Sequence, residues 1–181
     1  MKYKNICEDK NICKAKRIDT KEWVEGNLIY DGVSEKAYIH VTNNSVNESD
    51  KVGEEGLLQF VAYEIIPETI CRYSGLKTEN GTKIYENDIV KFLEHIGSII
   101  YAYGGFVIGF DDPINWNKIK EKTREINEIN MDACLCDNVI SLWEILWNLG
   151  DGETDYIYFV EVIENEFDDF GELKDGNRCM D

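Results

Sequence analysis

Tyr73-Ser74-Gly75-Leu76-Lys77-Thr78-Glu79-Asn80-Gly81-Thr82-Lys83-Ile84-Tyr85-Glu86-Asn87-Asp88-Ile89-Val90 is the stretch from which the fold can be read. It is a run of turns that ends by launching a strand. Ser74-Gly75 marks a bend, because glycine takes a positive φ without steric cost. Leu76, apolar among polar neighbours, is expected in a core. Asn80-Gly81 is the strongest short-range hairpin signal and predicts a type I′ turn with both residues at positive φ. Ile84 and Tyr85 supply a second apolar anchor. Glu86-Asn87-Asp88 predicts another tight turn, whose short side chains bond nearby backbone N–H groups. Ile89 to Leu93 then reads as a strand, with Val90 and Phe92 on one face and Lys91 on the other. The stretch holds no recognisable catalytic group.

Outward from this stretch, the order of residues becomes distinctive. Tyr73-x-Gly75-Leu76-Lys77, then Asn80-Gly81-x-x-Ile84-Tyr85-Glu86, then Asp88-Ile89-Val90 resembles the YopX-type family of bacteriophage and prophage proteins. Ala15-Lys16-Arg17, Thr20 and Glu22-Trp23-Val24-Glu25-Gly26 are similar to its N-terminal signature. Pro67-Glu68-Thr69 is similar to the lead into its central motif. Val162-Ile163 with Asn165, then Glu172-Leu173, is similar to its C-terminal segment. The likeness runs from about Cys13 to Leu173, with Asp111 to Gly150 as an insertion or a poorly matched region. Two positions depart from the family pattern, Asn87 and Glu164, each standing where a Gly is expected. Asparagine tolerates positive φ best after glycine, so the first turn survives; Glu164 puts the shape of the last turn in question. The resemblance implies a phage origin and a mainly β fold. It implies no reaction, and no catalytic, cofactor-binding or metal-binding residues.

The flanking sequence fits a mainly β, α+β molecule. Ile12 to Arg17 and Glu22 to Tyr30 read as a hairpin around Asp19-Thr20-Lys21, and Asp31-Gly32 as a second turn. In Ala37 to Thr42, Ala37, Ile39 and Val41 alternate with Tyr38, His40 and Thr42, which predicts a three-strand meander with one buried face. Asn43 to Gly53 reads as a polar loop. Leu57 to Ile66 reads as a strand that Pro67 ends or confines to an edge. Beyond the bridge, Ile89 to Leu93, Ser98 to Tyr103 and Phe106 to Phe110 are short strands between tight glycine turns, and Tyr156 to Ile163 is an almost continuous apolar run. Together they suggest a small closed SH3-like barrel, with Tyr156 to Ile163 as its closing strand. Trp116 to Asn130 and Val139 to Leu149 carry apolar residues at helical spacing, with Gly150 as a stop. The expected organisation is an N-terminal antiparallel β subdomain over 1–73 and a turn-rich bridge over 74–88. An SH3-like barrel over 89–163 follows, with a helical insertion at 113–149, and then an acidic tail over 164–181.

The 181 residues suffice for one domain or two small subdomains with a real core. An apolar content of 43% argues against wholesale disorder. The net charge of −17 repels phosphate backbones, so direct nucleic-acid binding is disfavoured. The charge is uneven: residues 1–24 hold seven Lys/Arg against four Asp/Glu, and residues 150–181 hold two against eleven. The start of the sequence lacks the apolar run of a signal peptide, and no stretch approaches the ~18 apolar residues of a membrane helix. A cytoplasmic protein in a bacterial host is the expectation. Cys7, Cys13, Cys71, Cys134, Cys136 and Cys179 are then expected as thiols.

No feature reads as a specific site. Cys134-x-Cys136 is the most metal-like, but zinc pairs are normally spaced by two to four residues and need further ligands. His40 and His95 are solitary and read as strand or turn residues. Gly104-Gly105-x-x-x-Gly109 lacks the Lys-Ser/Thr of a phosphate loop and reads as a hairpin turn. Acidic pairs at Asp111-Asp112, at Asp151 with Glu153 and Asp155, and at Asp168-Asp169 could hold a divalent cation, yet 36 acidic residues make such pairs expected by chance. Trp23, Trp116, Trp143 and Trp147 are expected in the core; a Trp-rich helix face left exposed would instead be a partner surface.

No cofactor is expected. The function read from the sequence is a non-catalytic phage or prophage accessory protein acting through protein–protein contacts or self-assembly. Its partners would be a host or phage protein or further copies of itself, not nucleic acid or membrane. One alternative is an acidic mimic of nucleic acid that occupies a host nucleic-acid-binding protein. Another is a metal-dependent hydrolase using clustered carboxylates.

Overall fold

Alternating apolar residues and frequent bends produce twelve strands and one complete helix among the described residues. The computed structural model describes residues 12–41, 61–112, 114, 115, 117, 119, 121, 138–149 and 154–169. The expected loop at Asn43 to Gly53 and most of the expected helix at Trp116 to Asn130 lie outside them. The chain divides into two units, Met1–Tyr73 with Asp169–Asp181, and Ser74–Asp168.

In the first unit, β1 (Ile12–Lys16), β2 (Trp23–Asp31) and β3 (Lys36–Val41) form the expected antiparallel meander. β4 (Val61–Glu64) pairs with β3. After a 3-10 turn at Pro67–Thr69, β5 (Cys71–Thr78) begins and its Cys71 and Arg72 pair with β1. Period-two alternation decides the buried face: Ala37, Ile39 and Val41 are buried, and Tyr38 and His40 lie opposite. The core is completed by Cys13, Ala15 and Ile65. Gly26 is required by close approach, since a Cβ there would run into the His40 carbonyl.

The second unit takes the rest of β5, then β6 (Lys83–Tyr85), β7 (Asp88–Phe92), β8 (His95–Ala102) and β9 (Gly105–Gly109). It ends with β10 (Val139–Ser141), α1 (Leu142–Leu149), β11 (Tyr156–Ile157) and β12 (Val160–Asn165). Five strands form a sheet in the order β10-β9-β8-β7-β12, antiparallel throughout. β6 and β11 pair with β5, β11 in parallel. Among the described residues no pairing joins β10 to β12, so the sheet is open rather than closed into a barrel. Leu76, Ile84, Val90, Phe92, Ile99, Ile108, Ile140, Leu142 and Ile145 are at most 2% exposed and form the centre of its core. Leu76, Val90 and Phe92 thus occupy the core as the sequence indicates, with Lys91 exposed.

Three local expectations change. Gly81 has φ +83°, but Asn80 keeps a negative φ, so the turn is not type I′. The Gly81 N–H bonds the Thr78 carbonyl at 2.8 Å and the Thr78 N–H bonds the Thr82 carbonyl at 2.8 Å. That is a type I turn followed by a left-handed glycine, the usual three-residue hairpin loop. The type I′ geometry occurs instead at Tyr103-Gly104, both at positive φ between the paired Ala102 and Gly105. The helix expected from Val139 starts at Leu142, because β-branched Val139 and Ile140 pair with β9. Ser141 Oγ then accepts the Trp143 N–H at 3.2 Å, as a helix N-cap does. Finally, the single closing strand expected over Tyr156 to Ile163 is broken at Phe159, which has φ +65°. Its two parts pair with different strands, β5 and β7.

Candidate functional site

The residues that carried the sequence pattern meet in two polar clasps, one in each unit. In the first, the 3-10 turn at Pro67–Thr69 brings Thr69 against β1. The Lys16 N–H donates to Thr69 Oγ1 at 2.9 Å, and the Thr69 hydroxyl donates to the Ile66 carbonyl at 2.8 Å. The Ile66 N–H closes the loop on the Lys16 carbonyl at 2.9 Å. Thr69 is fully buried. One neutral hydroxyl therefore satisfies the backbone of two segments 53 residues apart.

The second clasp centres on Asp88, which is fully buried. Its Oδ2 accepts the Tyr85 N–H at 2.7 Å, which fixes the turn at Glu86-Asn87 as the sequence suggests. Its Oδ1 accepts Asn165 Nδ2 at 2.8 Å, from the end of β12. Asn165 Oδ1 in turn accepts the Phe167 N–H at 3.1 Å, and Asp168 Oδ2 accepts the Asn165 N–H at 2.7 Å. Asn87 has φ +64°, and its carbonyl receives the Glu166 N–H at 2.9 Å. The asparagine standing in for glycine thus holds the left-handed conformation the turn requires. Each oxygen of the buried Asp88 carboxyl thus meets a donor, which offsets the cost of enclosing such a group.

The remaining candidates separate. Asp168 belongs to the second clasp, and Asp169 is exposed beside it. Asp111 and Asp112 are exposed at a bend after β9. Asp155 Oδ2 pairs with Lys77 Nζ at 2.7 Å, while Asp151 and Glu153 lie outside the described residues. His40 sits on β3, and His95 opens β8 edge-on to Phe110 at 6.1 Å. Cys13 and Cys71 are buried; Cys7, Cys134, Cys136 and Cys179 lie outside the described residues, as does Trp116. Among the described residues no three His, Cys, Asp or Glu side chains converge to hold a metal ion. No helix among them is long and apolar enough to cross a membrane.

The tryptophans correct the sequence reading most. Trp23 is only partly buried and lies outside both apolar cores, with Lys14 Nζ 4.9 Å and Lys16 Nζ 5.6 Å from its ring centre. Arg17, just past β1, lies 4.0 Å from the ring centre of Tyr63, so this segment presents cations to aromatic rings. Trp143 and Trp147 are 50% and 74% exposed on α1. Helical spacing places Trp143 on one side with Leu142, Leu146 and Leu149, but 100° per residue turns 143 and 147 away from the buried 142, 145 and 146. Ile96 at 62%, Ile100, Tyr101 and Tyr103 add exposed apolar surface along β8 and its turn.

A family model described as YopX protein matches residues 14–139, well over half of the chain. The matched range contains the first clasp and Asp88, and ends before Asn165. Searches of curated proteins and of solved structures found no match.

Proposed function

From the premise that this chain belongs to the YopX protein family, we propose that it is a non-catalytic accessory protein of phage or prophage origin, working in the bacterial cytoplasm through protein–protein contacts or self-assembly. The observation that carries this reading is the set of large apolar side chains left at the surface of the second unit. Ile96, Ile100, Tyr101, Tyr103, Trp143 and Trp147 are all at least 40% exposed. Large apolar side chains left exposed mark association surfaces where they adjoin, more often than they mark chemistry. The polar groups that recur in the sequence pattern, Thr69 and Asp88, are meanwhile spent on holding backbone. Light scattering on the purified chain, with affinity capture from host lysate, tests the reading. A mass above the 20.9 kDa monomer, or one stoichiometric partner, supports it. A strict monomer that captures nothing sinks it.

The net charge of −17 favours a second reading, an acidic mimic that occupies a host nucleic-acid-binding protein. It requires salt-sensitive capture of basic host proteins beyond that of an acidic control of equal charge.

A further inference from the structure

We propose that Asn80 is a site of spontaneous deamidation, and that the hairpin carrying it sets the rate. Asn80-Gly81 is the one Asn-Gly step in the 181 residues, and both residues are exposed. A glycine nitrogen is open to reaction because no side chain shields it. The surrounding space is open as well: a Cβ added at Gly81 would meet nothing within 4 Å. The chemistry needs only water. The Gly81 main-chain nitrogen gives up its proton and attacks Asn80 Cγ. A C–N bond forms, the bond from Cγ to Nδ2 breaks, and Nδ2 leaves as ammonia, carrying away the proton that the nitrogen lost. Water then opens the cyclic imide. Addition at Cγ leaves aspartate. Addition at the Asn80 main-chain carbonyl leaves isoaspartate, with the chain routed through Cβ and Cγ. No electrons are transferred.

The fold restrains this reaction through Thr78. The Gly81 N–H donates to the Thr78 carbonyl at 2.8 Å. The proton in that bond is the one the reaction removes, so the turn must open before the nitrogen can attack. The Thr78 N–H donates to the Thr82 carbonyl at 2.8 Å, and the Thr82 N–H donates to Thr78 Oγ1 at 3.2 Å. Thr78 itself is only 3% exposed, so the turn hangs from a buried anchor. Once the reaction has occurred it does not reverse. A new carboxylate stands beside Glu79. The isoaspartyl form also carries an extra main-chain carbon in a loop whose length selects the turn. The bonds between Thr78 and Thr82 are then lost. Ile84 and Tyr85, at 0% and 4% exposure, follow directly, so the loosening reaches the core and the turn that Asp88 holds.

The test ages the full chain at neutral pH, folded and in unfolding urea. Peptide mapping follows Asn80, and enzymatic methylation reads isoaspartate. Conversion at Asn80 is expected in both states, at least about tenfold slower in the folded chain, where only the opened hairpin reacts. Thr78→Val keeps the shape and removes the acceptor for the Thr82 N–H. It should speed the folded reaction by about fivefold, the effect of one neutral hydrogen bond, and leave the rate in urea unchanged. The comparison of folded and unfolded wild type needs no variant, so it decides the matter even if Thr78→Val does not fold. Asn80→Gln should abolish the product. The separated isoaspartyl form should exchange its Thr78 and Thr82 amide hydrogens faster than the fresh protein. An Asn80 that stays intact in the folded chain, equal rates in the two states, or a folded Thr78→Val that reacts no faster than wild type overturns the proposal.

Discussion

The two units close themselves with opposite chemistry. The first relies on a neutral threonine hydroxyl between β1 and a 3-10 turn, above a core that contains two alanines and a cysteine. The second relies on a fully buried carboxylate, and surrounds it with a larger core of isoleucine, leucine and phenylalanine. A hydroxyl both donates and accepts, so it bridges two backbone segments at little desolvation cost. A carboxylate only accepts, so it is tolerable inside only when donors from several segments converge on it. The contrast teaches that the second clasp organises its surroundings more strictly than the first.

Removing Asp88 is the harshest way to test that contrast. Asp88→Ala strands the Tyr85 N–H and the Asn165 amide, and should cost about 3 kcal/mol. Hydrogen exchange should rise across β6, β7, β12 and the turn at Glu166–Asp169, with β1 to β3 little changed. Asp88→Asn, which keeps one acceptor, should cost less. If Asp88→Ala unfolds no more readily than the wild type in urea, the clasp is ornamental. The matching change in the first unit is Thr69→Val, which keeps the shape and strands the Lys16 N–H. It should cost about 1 kcal/mol. Exchange should be enhanced at Lys16 and Ile66. A cost equal to that of Asp88→Ala would erase the difference between the units.

Asn87 sharpens the comparison further. At φ +64°, Asn87→Gly should be close to neutral and Asn87→Val should cost about 1–2 kcal/mol. Equal melting temperatures for the two variants would mean that the turn relaxes and does not constrain Asp88.

These residues also mark how far the sequence could be read. The turn at Glu86-Asn87-Asp88, the burial of Leu76, Val90 and Phe92, and the β1–β3 meander were all legible, because each follows from local conformation or from period-two alternation. That Asp88 meets Asn165, and Lys16 meets Thr69, was not. Each partner stood out within its own segment, but no local rule pairs segments 77 or 53 residues apart. The break at Phe159 was hidden for a different reason: a bulky residue at positive φ has no sequence signal, and tertiary pairing of β11 and β12 imposes it. The exposed tryptophans were misplaced because hydrophobicity was taken for burial. The helical phase places 143 and 147 opposite 145, and only one of those faces can turn inward.

The smallest expected effect lies at the surface of the first unit, where charge is paired in water and not enclosed. Arg17 donates to both carboxylate oxygens of Asp19, at 2.9 and 2.7 Å. These bonds hold the Asp19 carboxyl below its ordinary range, and the Thr20 N–H helps. Asp31 is lowered as well, first by the Ser34 hydroxyl and then by the Val33 N–H. A lowered carboxylate stabilises the folded state fully above the unfolded value of about 3.9, and that stabilisation fades as pH falls through the folded value. Asp19 is exposed and Asp31 lies at the surface, so solvent screening leaves little of the interaction. Asp19→Asn should therefore shift the urea midpoint slightly at neutral pH, and the two midpoints should converge once the solution is more acidic than the ordinary aspartate range. A gap that persists in acid would mean that Asp19 acts through the shape of its turn, and the first unit would then share the strictness assigned here to the second.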